Sequence, residues 1–438
     1  MEWYWMLLII LGGLILLLLA GIPVAFSFIV VALIMVLFLW GGGVGIKNLV
    51  VIVNDNMTRF CLLPIPLFIL MGEVLFHSGV AVNMLDALDK WVGRLPGRLG
   101  FLAVATGTLV ATMTGVSMSS CAILGSLLTP EMEKRGYKKS MSLGPILGSA
   151  GLAIMIPPSA LAVFLGAFAG ISIGRILIGI IMPGLLMAAL YAAYIIIRCR
   201  LQPSIAPAYT VPPSPLSEKL IATAKYILPV GVIIFLVIGV ILLGIATPSE
   251  AAATGALGTF ILAAAYGRLN WEVIKKSLWG SLQITILVLT ILVGALVYSQ
   301  VLVFSGASRG LAQFIVGLPV QPIVIFIAIQ LFGLFLGMFI IPGGVIAILV
   351  PLFMPVIGAL GFNEVWFAVI LLLNTEMATT SPPFGNNLMV MKGVAPPDTT
   401  MGDIYRAALP FLGCDLIVMA LLIAFPSLVL WLPTSIMR

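Results

Sequence analysis

The sequence predicts an all-α polytopic membrane protein made of two inverted repeats, each carrying a re-entrant hairpin and a broken helix. Three observations carry that prediction. Of 438 residues, 62% are apolar and 8% are Asp, Glu, Lys or Arg, with a mean hydropathy of +1.26; a soluble protein has about 25% charged residues. Apolar runs of about 20 residues, enough to cross ~30 Å of hydrocarbon, recur from end to end. Proline and glycine landmarks recur in the same order in both halves. The lipid bilayer is therefore this chain's first partner, and no room remains for a soluble catalytic or nucleic-acid-binding domain.

The first run, Met6 to Ala20, follows Glu2 with no basic segment and no A-x-A site, and reads as a retained helix. Further spans fall near 24–40, 58–77, 172–197, 226–246, 250–266, 278–301 and 407–432. Two stretches, about 99–170 and 320–395, are apolar yet interrupted by Gly, Ser, Thr, Asn and Pro. Leu201 to Glu218, with five prolines, reads as a cytoplasmic linker at 201–218 between a first repeat (1–200) and a second (219–438). The first repeat is expected to hold scaffold helices over about 1–78, a lateral helix 80–96, a hairpin 99–133 and a broken helix 141–170. The second should hold scaffold helices over about 222–301, a lateral helix 307–319, a hairpin 320–360, a broken helix 364–395 and a last helix 407–432.

A shift of 225 residues carries Pro130 to Pro355, Gly136 to Gly361, Tyr137 to Phe362, and Pro157-Pro158 to Pro382-Pro383. Ser78-Gly79 and Ser305-Gly306 each open a short amphipathic stretch ending in Leu95-Pro96 and Leu318-Pro319. Internal duplication of this kind underlies many secondary transporters. Loop charge orients the copies. Lys90, Arg94, Arg98, Lys134, Arg135, Lys138 and Lys139 crowd the feet of the first hairpin, whereas Arg309 is the only basic residue in 307–322 and 360–365. Basic loops mark the cytoplasm, so the first hairpin enters from inside and its counterpart from outside. Arg198, Arg200, Lys219, Lys225, Arg268, Lys275 and Lys276 also fall inside, which leaves the N-terminus outside.

The net charge of +6 is then loop charge. Cys61, Cys121, Cys199 and Cys414 form no CxxC pair and read as small core residues. His77 is alone and reads as interfacial. Glu73 and Asp415 sit in apolar spans, where packing against a polar neighbour and a transport role are equally open. No HExxH, nucleophile–His pair or P-loop supplies bond chemistry or ATP.

The hairpin tips, Thr114 to Ser120 and Ile341 to Gly344, leave backbone groups that lipid cannot satisfy. Tandem prolines at Pro157-Pro158 and Pro382-Pro383 unwind the helices that follow. The freed carbonyls supply uncharged oxygen ligands for a small alkali cation, and half-helix N-termini offer partial positive charge to an anion. Glu376, inside the second break, has two readings: an intramembrane carboxylate with a function, or a stay that bonds freed amides.

At these residues the chain resembles the large membrane subunit of the TRAP (tripartite ATP-independent periplasmic) transporters, DctM-type. The resemblance spans essentially the whole chain. Its specific parts are Gly125-Ser126 with Pro130 to Tyr137, Ile156 to Ser159, and Ser381 to Leu388 followed by Gly393. It implies an elevator-type secondary active transporter of the bacterial inner membrane, not an enzyme, that imports a small organic anion with Na⁺ as coupling ion. It also implies a small four-helix membrane subunit and a periplasmic substrate-binding protein as partners. One sodium site would fall at Ser117, Ser120, Gly151, Met155 and Pro157. The other would fall near Gly343, Gly344, Thr379, Thr380 and Pro382. Many relatives carry an acidic residue followed by Thr or Pro at the second tip, where this chain has Ile341-Pro342-Gly343-Gly344; Glu376 is the candidate to replace that charge. Ser119, Ser159, Asn386 and Asn387 are candidates to hold a carboxylate or sulfonate, because both clefts are rich in oxygen and poor in charge. The rivals are a single-component Na⁺/carboxylate symporter and an intramembrane enzyme or scaffold subunit.

Overall fold

A computed structural model describes residues 2–39, 41–92, 97–207 and 215–436. Three helices open the chain: α1 (Trp3–Leu19), α2 (Val24–Leu39) and α3 (Gly43–Met57). The third has no counterpart in the expected elements. Lys47, Asn48, Asn54, Asp55 and Asn56 interrupt its apolar run, and most of its residues are exposed, as suits a helix with one wet face. A 3-10 turn (Phe60–Leu62) then leads into α4 (Pro64–His77).

The lateral helix of the first repeat is α5 (Val80–Val92); its expected end at Leu95-Pro96, with Arg94, lies outside the described residues. The hairpin consists of α6 (Arg98–Thr114) and α7 (Ser117–Lys134). The broken helix consists of α8 (Lys139–Met155) and α9 (Ala160–Ala169), which meet at 41°. After α10 (Ile173–Gly179) and α11 (Ile181–Leu201), the linker contains a 3-10 turn and is helical again from Leu216. There α12 (Leu216–Ala222) runs through a π-helical turn (Thr223–Ile227) into α13 (Leu228–Leu242). Next come α14 (Pro248–Ala265), opened by a Thr247–Glu250 capping box, and α15 (Trp271–Phe304). At 1.5 Å per residue α15 spans roughly 51 Å, longer than the expected 278–301.

The second repeat continues with α16 (Ala307–Val316), α17 (Pro322–Gly337), α18 (Pro342–Ala359), α19 (Glu364–Thr380) and α20 (Asn386–Val394). The last expected helix, 407–432, is two helices, α21 (Met401–Ala424) and α22 (Ser427–Ile436). Pro426 separates them by holding Phe425 in an extended conformation (φ −129°, ψ 78°). Among the described residues six helices are long and apolar enough to cross a bilayer, or seven if α8 and α9 count as one bent span.

The repeat is exact in two pairs of helices. Shifting by 225 residues lays Ser117–Lys134 on Pro342–Ala359 and Lys139–Met155 on Glu364–Thr380. The turns match too: Gly136 (φ 79°) and Gly361 (φ 76°) both take the left-handed conformation that favours glycine. The copies interlock reciprocally. α7 packs on α20 while α18 packs on α9, and α8 packs on its own counterpart α19. Such reciprocity defines a pseudo-two-fold arrangement. Its centre is the core, since every residue from Met141 to Met155 and from Val365 to Thr380 is buried.

Around this centre α4, α14 and α15 pack together, and α2 packs on α15. Ser277 and Ser281 of α15 donate to the Glu73 and Pro66 carbonyls of α4 (3.2 and 3.3 Å). The lateral helices join the two groups. α5 packs on α6, and its Trp91 Nε1 donates to Thr223 Oγ1 (2.7 Å). α16 packs on α1 and α18, with Ser308 Oγ donating to the Pro351 carbonyl (2.6 Å).

Candidate functional site

The two breaks share one design. α8 ends at Met155, Ile156 turns extended (φ −121°, ψ 121°), and Pro157-Pro158 precedes Ser159, whose side chain accepts the Ala162 amide and caps α9. α19 ends at Thr380, Ser381 turns extended, and Pro382-Pro383 leads to Gly385 and α20. Both Pro-Pro peptide bonds are cis. Gly385 folds so closely onto the Thr379 and Ser381 carbonyls that a side chain there would collide with backbone.

Glu376 lies one turn before the second break, 1% exposed. Its Oε1 accepts from Thr379 Oγ1 (3.1 Å) and Asn387 Nδ2 (3.4 Å), and Ser117 at the first hairpin tip also bonds the carboxyl. Asn387 Nδ2 reaches Thr379 Oγ1 as well (2.9 Å), and Cys121 Sγ of α7 contacts the Asn387 carbonyl (3.5 Å). The Glu376 side chain lies flat on Gly151 of α8: a Cβ there would sit 2.5 Å from Oε1. Residues 151 and 376 are themselves repeat counterparts, so the carboxylate rests on the pseudo-two-fold. Among the described residues no cationic side chain pairs with it.

This arrangement joins residues that the resemblance assigns to separate sites. Ser117 and Gly151 of the first set touch Glu376 of the second, and Thr379 and Asn387 complete the cluster. Glu376 Oε2 and Asn387 Oδ1 are buried with no hydrogen-bond donor among the described residues. One carboxyl group and the Asn387 amide, with two oxygens unpaired among the described residues, and two hydroxyls form a hard-oxygen donor set that fits a small cation. A stay for freed amides would accept backbone N–H groups; this carboxyl instead accepts from the side chains of Thr379 and Asn387.

Other expected residues are placed elsewhere. Ser119 and Gly343 line one cavity of about 210 Å³ that both hairpin tips share, against Ile284 to Ile291 of α15. Gly344 packs against Ile340 and Val24, and Thr380 Oγ1 donates to the Met377 carbonyl (3.1 Å). The Met155 carbonyl lies against Gly184 of α11. Pro157 lines a small gap with Phe68 of α4 and Val237 of α13. Ser120 is buried in the first turn of α7, Pro382 is half-buried, and Asn386 is half-buried at the start of α20. The Thr114 side chain lies outside the described residues.

The sequence reading missed the α15 wall of the cavity, whose apolar residues carry no chemical signal. It also missed the partner of Asp415. That carboxyl is buried (3% exposed) and accepts from the hydroxyl of Tyr191 on α11. Glu73 pairs with His77 (3.2 Å) on the face of α4 that meets α15, where Gly280 makes room for it.

Duplicated hairpins and broken helices, with a buried oxygen cluster where the first hairpin tip, α8 and the second break come together, form an architecture suited to a membrane transporter. Comparison makes the assignment narrower. Residues 11–428 match the family "Tripartite ATP-independent periplasmic transporter, DctM component", and the chain belongs to that family. It is 28% identical to the C4-dicarboxylate TRAP transporter large permease protein DctM of Pseudomonas aeruginosa, over 89% of this chain and 90% of that one. It is 28% identical to the sialic acid TRAP transporter large permease protein SiaM of Vibrio cholerae, over 95% and 96%. The isethionate TRAP transporter permease protein DctMQ of Oleidesulfovibrio alaskensis is also 28% identical, over 96% of this chain and 65% of that longer one. Among solved structures, the fold is similar to the YdaH transporter of Alcanivorax borkumensis (TM-score 0.64, 16% identity, covering 88% and 89%). It is similar also to MtrF of Neisseria gonorrhoeae (TM-score 0.64, 14% identity, covering 87% and 84%). The chain is a transporter permease, which removes the enzyme and scaffold rivals.

Proposed function

We propose that this chain imports a small organic anion in symport with Na⁺, as the large membrane subunit of a tripartite transporter of the bacterial inner membrane. A periplasmic binding protein delivers the anion, and a small four-helix subunit braces the scaffold; DctM-family membership supports both partners. The observation that carries the reading is the Glu376 cluster: a buried carboxylate with an unpaired oxygen, shared by both repeats.

Sodium is held in this reading by Ser117, Ser120, Gly151, Met155 and Pro157 on one side, and by Gly343, Gly344, Glu376, Thr379, Thr380 and Pro382 on the other. A cation there neutralises the carboxylate and fixes the hairpin tips against the breaks. Ser119, Ser159, Asn386 and Asn387 stand near enough to the tips and breaks to be tested as anion contacts. With Na⁺ in both sets, one cation offsets Glu376 and the other offsets the anion, so only the fully loaded unit is free of an uncompensated buried charge, which costs several kcal/mol per ion. That unit comprises α6 to α11 and α17 to α22. It moves as an elevator against α4 and α13 to α15, with α5 and α16 as lateral struts. Apolar contact with α15 supports such sliding, because no strong polar bond at the cavity wall has to break.

The test is uptake into liposomes by the purified permease with its small subunit and binding protein. An inward Na⁺ gradient should drive accumulation, a K⁺ gradient should not, and Ser117→Leu or Gly344→Leu should abolish it. Full uptake by either variant would remove those residues from the site. Uptake by the permease alone would favour a single-component symporter, and indifference to Na⁺ would sink the coupling.

A further inference from the structure

We infer that the groove between the lateral helix α16 and α18 holds an anionic phospholipid, with its phosphate on Arg309 and an acyl chain against the apolar lining. The groove has a volume of about 600 Å³. It shares no residue with the Glu376 cluster, and its occupant does not depend on Na⁺ coupling.

Its depth in the membrane follows from the elements that border it. Val303 is the penultimate residue of α15 and Ala359 the last of α18, and both helices are long and apolar enough to cross a bilayer. The groove therefore lies at the ends of two spans, where hydrocarbon gives way to headgroups. Aromatic side chains mark the same level. Trp3, Tyr4 and Trp5 open α1, Trp3 lies against α16 at Gly310, and its ring centroid stands 5.8 Å from that of Phe314. Trp and Tyr gather at membrane–water interfaces, so α16 is an interfacial helix.

Arg309, Gln313 and Val316 follow at helical spacing and turn one face of α16 to the groove. Val303, Val316, Pro355 and Ala359 also line it, and all four are exposed and apolar. Ser308 is already committed to the Pro351 carbonyl. Among the described residues neither Arg309 nor Gln313 bonds a protein group, and no carboxylate lines the groove. A guanidinium without a protein anion, beside apolar surface at headgroup depth, fits a phosphate, which it meets through two parallel N–H bonds. Gln313, one turn on, offers an amide donor. The missing carboxylate decides the headgroup class, since the ammonium of a zwitterionic lipid finds no partner here. Seated there, the lipid touches the lateral helix and the second hairpin together.

The test measures thermal stabilisation of the delipidated permease with its small subunit in dodecylmaltoside micelles. Dioleoylphosphatidylglycerol, dioleoylphosphatidylcholine and inorganic phosphate are titrated in separately. Phosphatidylglycerol should act at a concentration about tenfold below phosphatidylcholine, the size of one charge-assisted hydrogen bond, and phosphate alone should give no shift. Arg309→Gln should erase that preference, Arg309→Lys should keep most of it, and Lys47→Gln on α3 should leave it unchanged. Ala359→Phe fills the groove from an exposed position and should weaken both lipids, which keeps the site testable should Arg309→Gln fail to fold. Equal action of the two lipids, a preference that survives Arg309→Gln, or stabilisation by phosphate alone would overturn the inference. So would a preference seen with the permease alone and lost once the small subunit is bound, which would give the groove to a protein.

Discussion

Gly151→Ala puts the meeting point of the two repeats under direct load. The added Cβ would sit 2.5 Å from Glu376 Oε1, 2.8 Å from its Cγ and 2.9 Å from its Cδ, where carbon contacts prefer about 3.5–4.0 Å. Glu376 is 1% exposed and is held by Thr379, Asn387 and Ser117, so it has nowhere to swing. Overpacking of this kind costs about 1–3 kcal/mol, partly offset by the ~1 kcal/mol that Ala gains over Gly inside a helix. Truncating the partner isolates the term. In a Glu376→Ala background the clash is absent, and Gly151→Ala should be neutral or stabilising by up to ~1 kcal/mol. The double-mutant coupling should therefore be about 1–3 kcal/mol. Unfolding of the four proteins by SDS in mixed micelles would measure it. Additivity within ~0.5 kcal/mol would refute the contact, and with it the placement of Glu376 on the pseudo-two-fold.

Further perturbations read other parts of the argument. Glu376→Gln keeps the volume and most hydrogen bonds but removes the charge. Stabilisation by Na⁺, about 2.7 kcal/mol at a hundredfold excess over Kd, should be lost, and an unchanged Na⁺ titration would exclude the carboxylate from the cation site. Tyr191→Phe leaves the buried Asp415 carboxyl without its donor and should cost about 1–3 kcal/mol, whereas Tyr191→Phe with Asp415→Leu should recover part of that loss. On the surface, Lys139 bonds Asp398 (2.6 Å) across the repeats and holds its carboxyl below the usual range. The tie is complete above the ordinary carboxylate pKa of ~3.9 and is lost as pH falls through the lower folded value. Amide exchange in 396–400 should accelerate only there, and Asp398→Asn should remove that acid step.

Much of the architecture was legible because membranes leave few choices. A run such as Val24–Leu39 has no alternative to helix in lipid, and tandem prolines at 157 and 382 end helices by covalent geometry. The repeat was legible because turns and kinks need particular residues, whatever fills the space between them. Elements with weak local signals were harder to read. α3 has polar residues at both ends of its apolar run, and the helical start at Leu216 lies behind a proline-rich stretch. The break at Pro426 hides in one long apolar segment. Within the site, Ser117, Gly151, Glu376, Thr379 and Asn387 each carry a signal in the sequence, yet their division among two cation sites and an anion site gives no hint that they touch.

The amino-acid sequence by itself determined that this chain lives in lipid, that it is duplicated, and where tandem prolines interrupt its helices. Those properties follow from transfer free energies and backbone sterics, which act on residues within a turn or two of each other. Only the tertiary structure decided that Glu376 rests on its own repeat counterpart and that α15 walls the cavity with hydrocarbon. Both depend on how distant helices cross, and crossing is fixed by the packing of many side chains together, which no local pattern encodes.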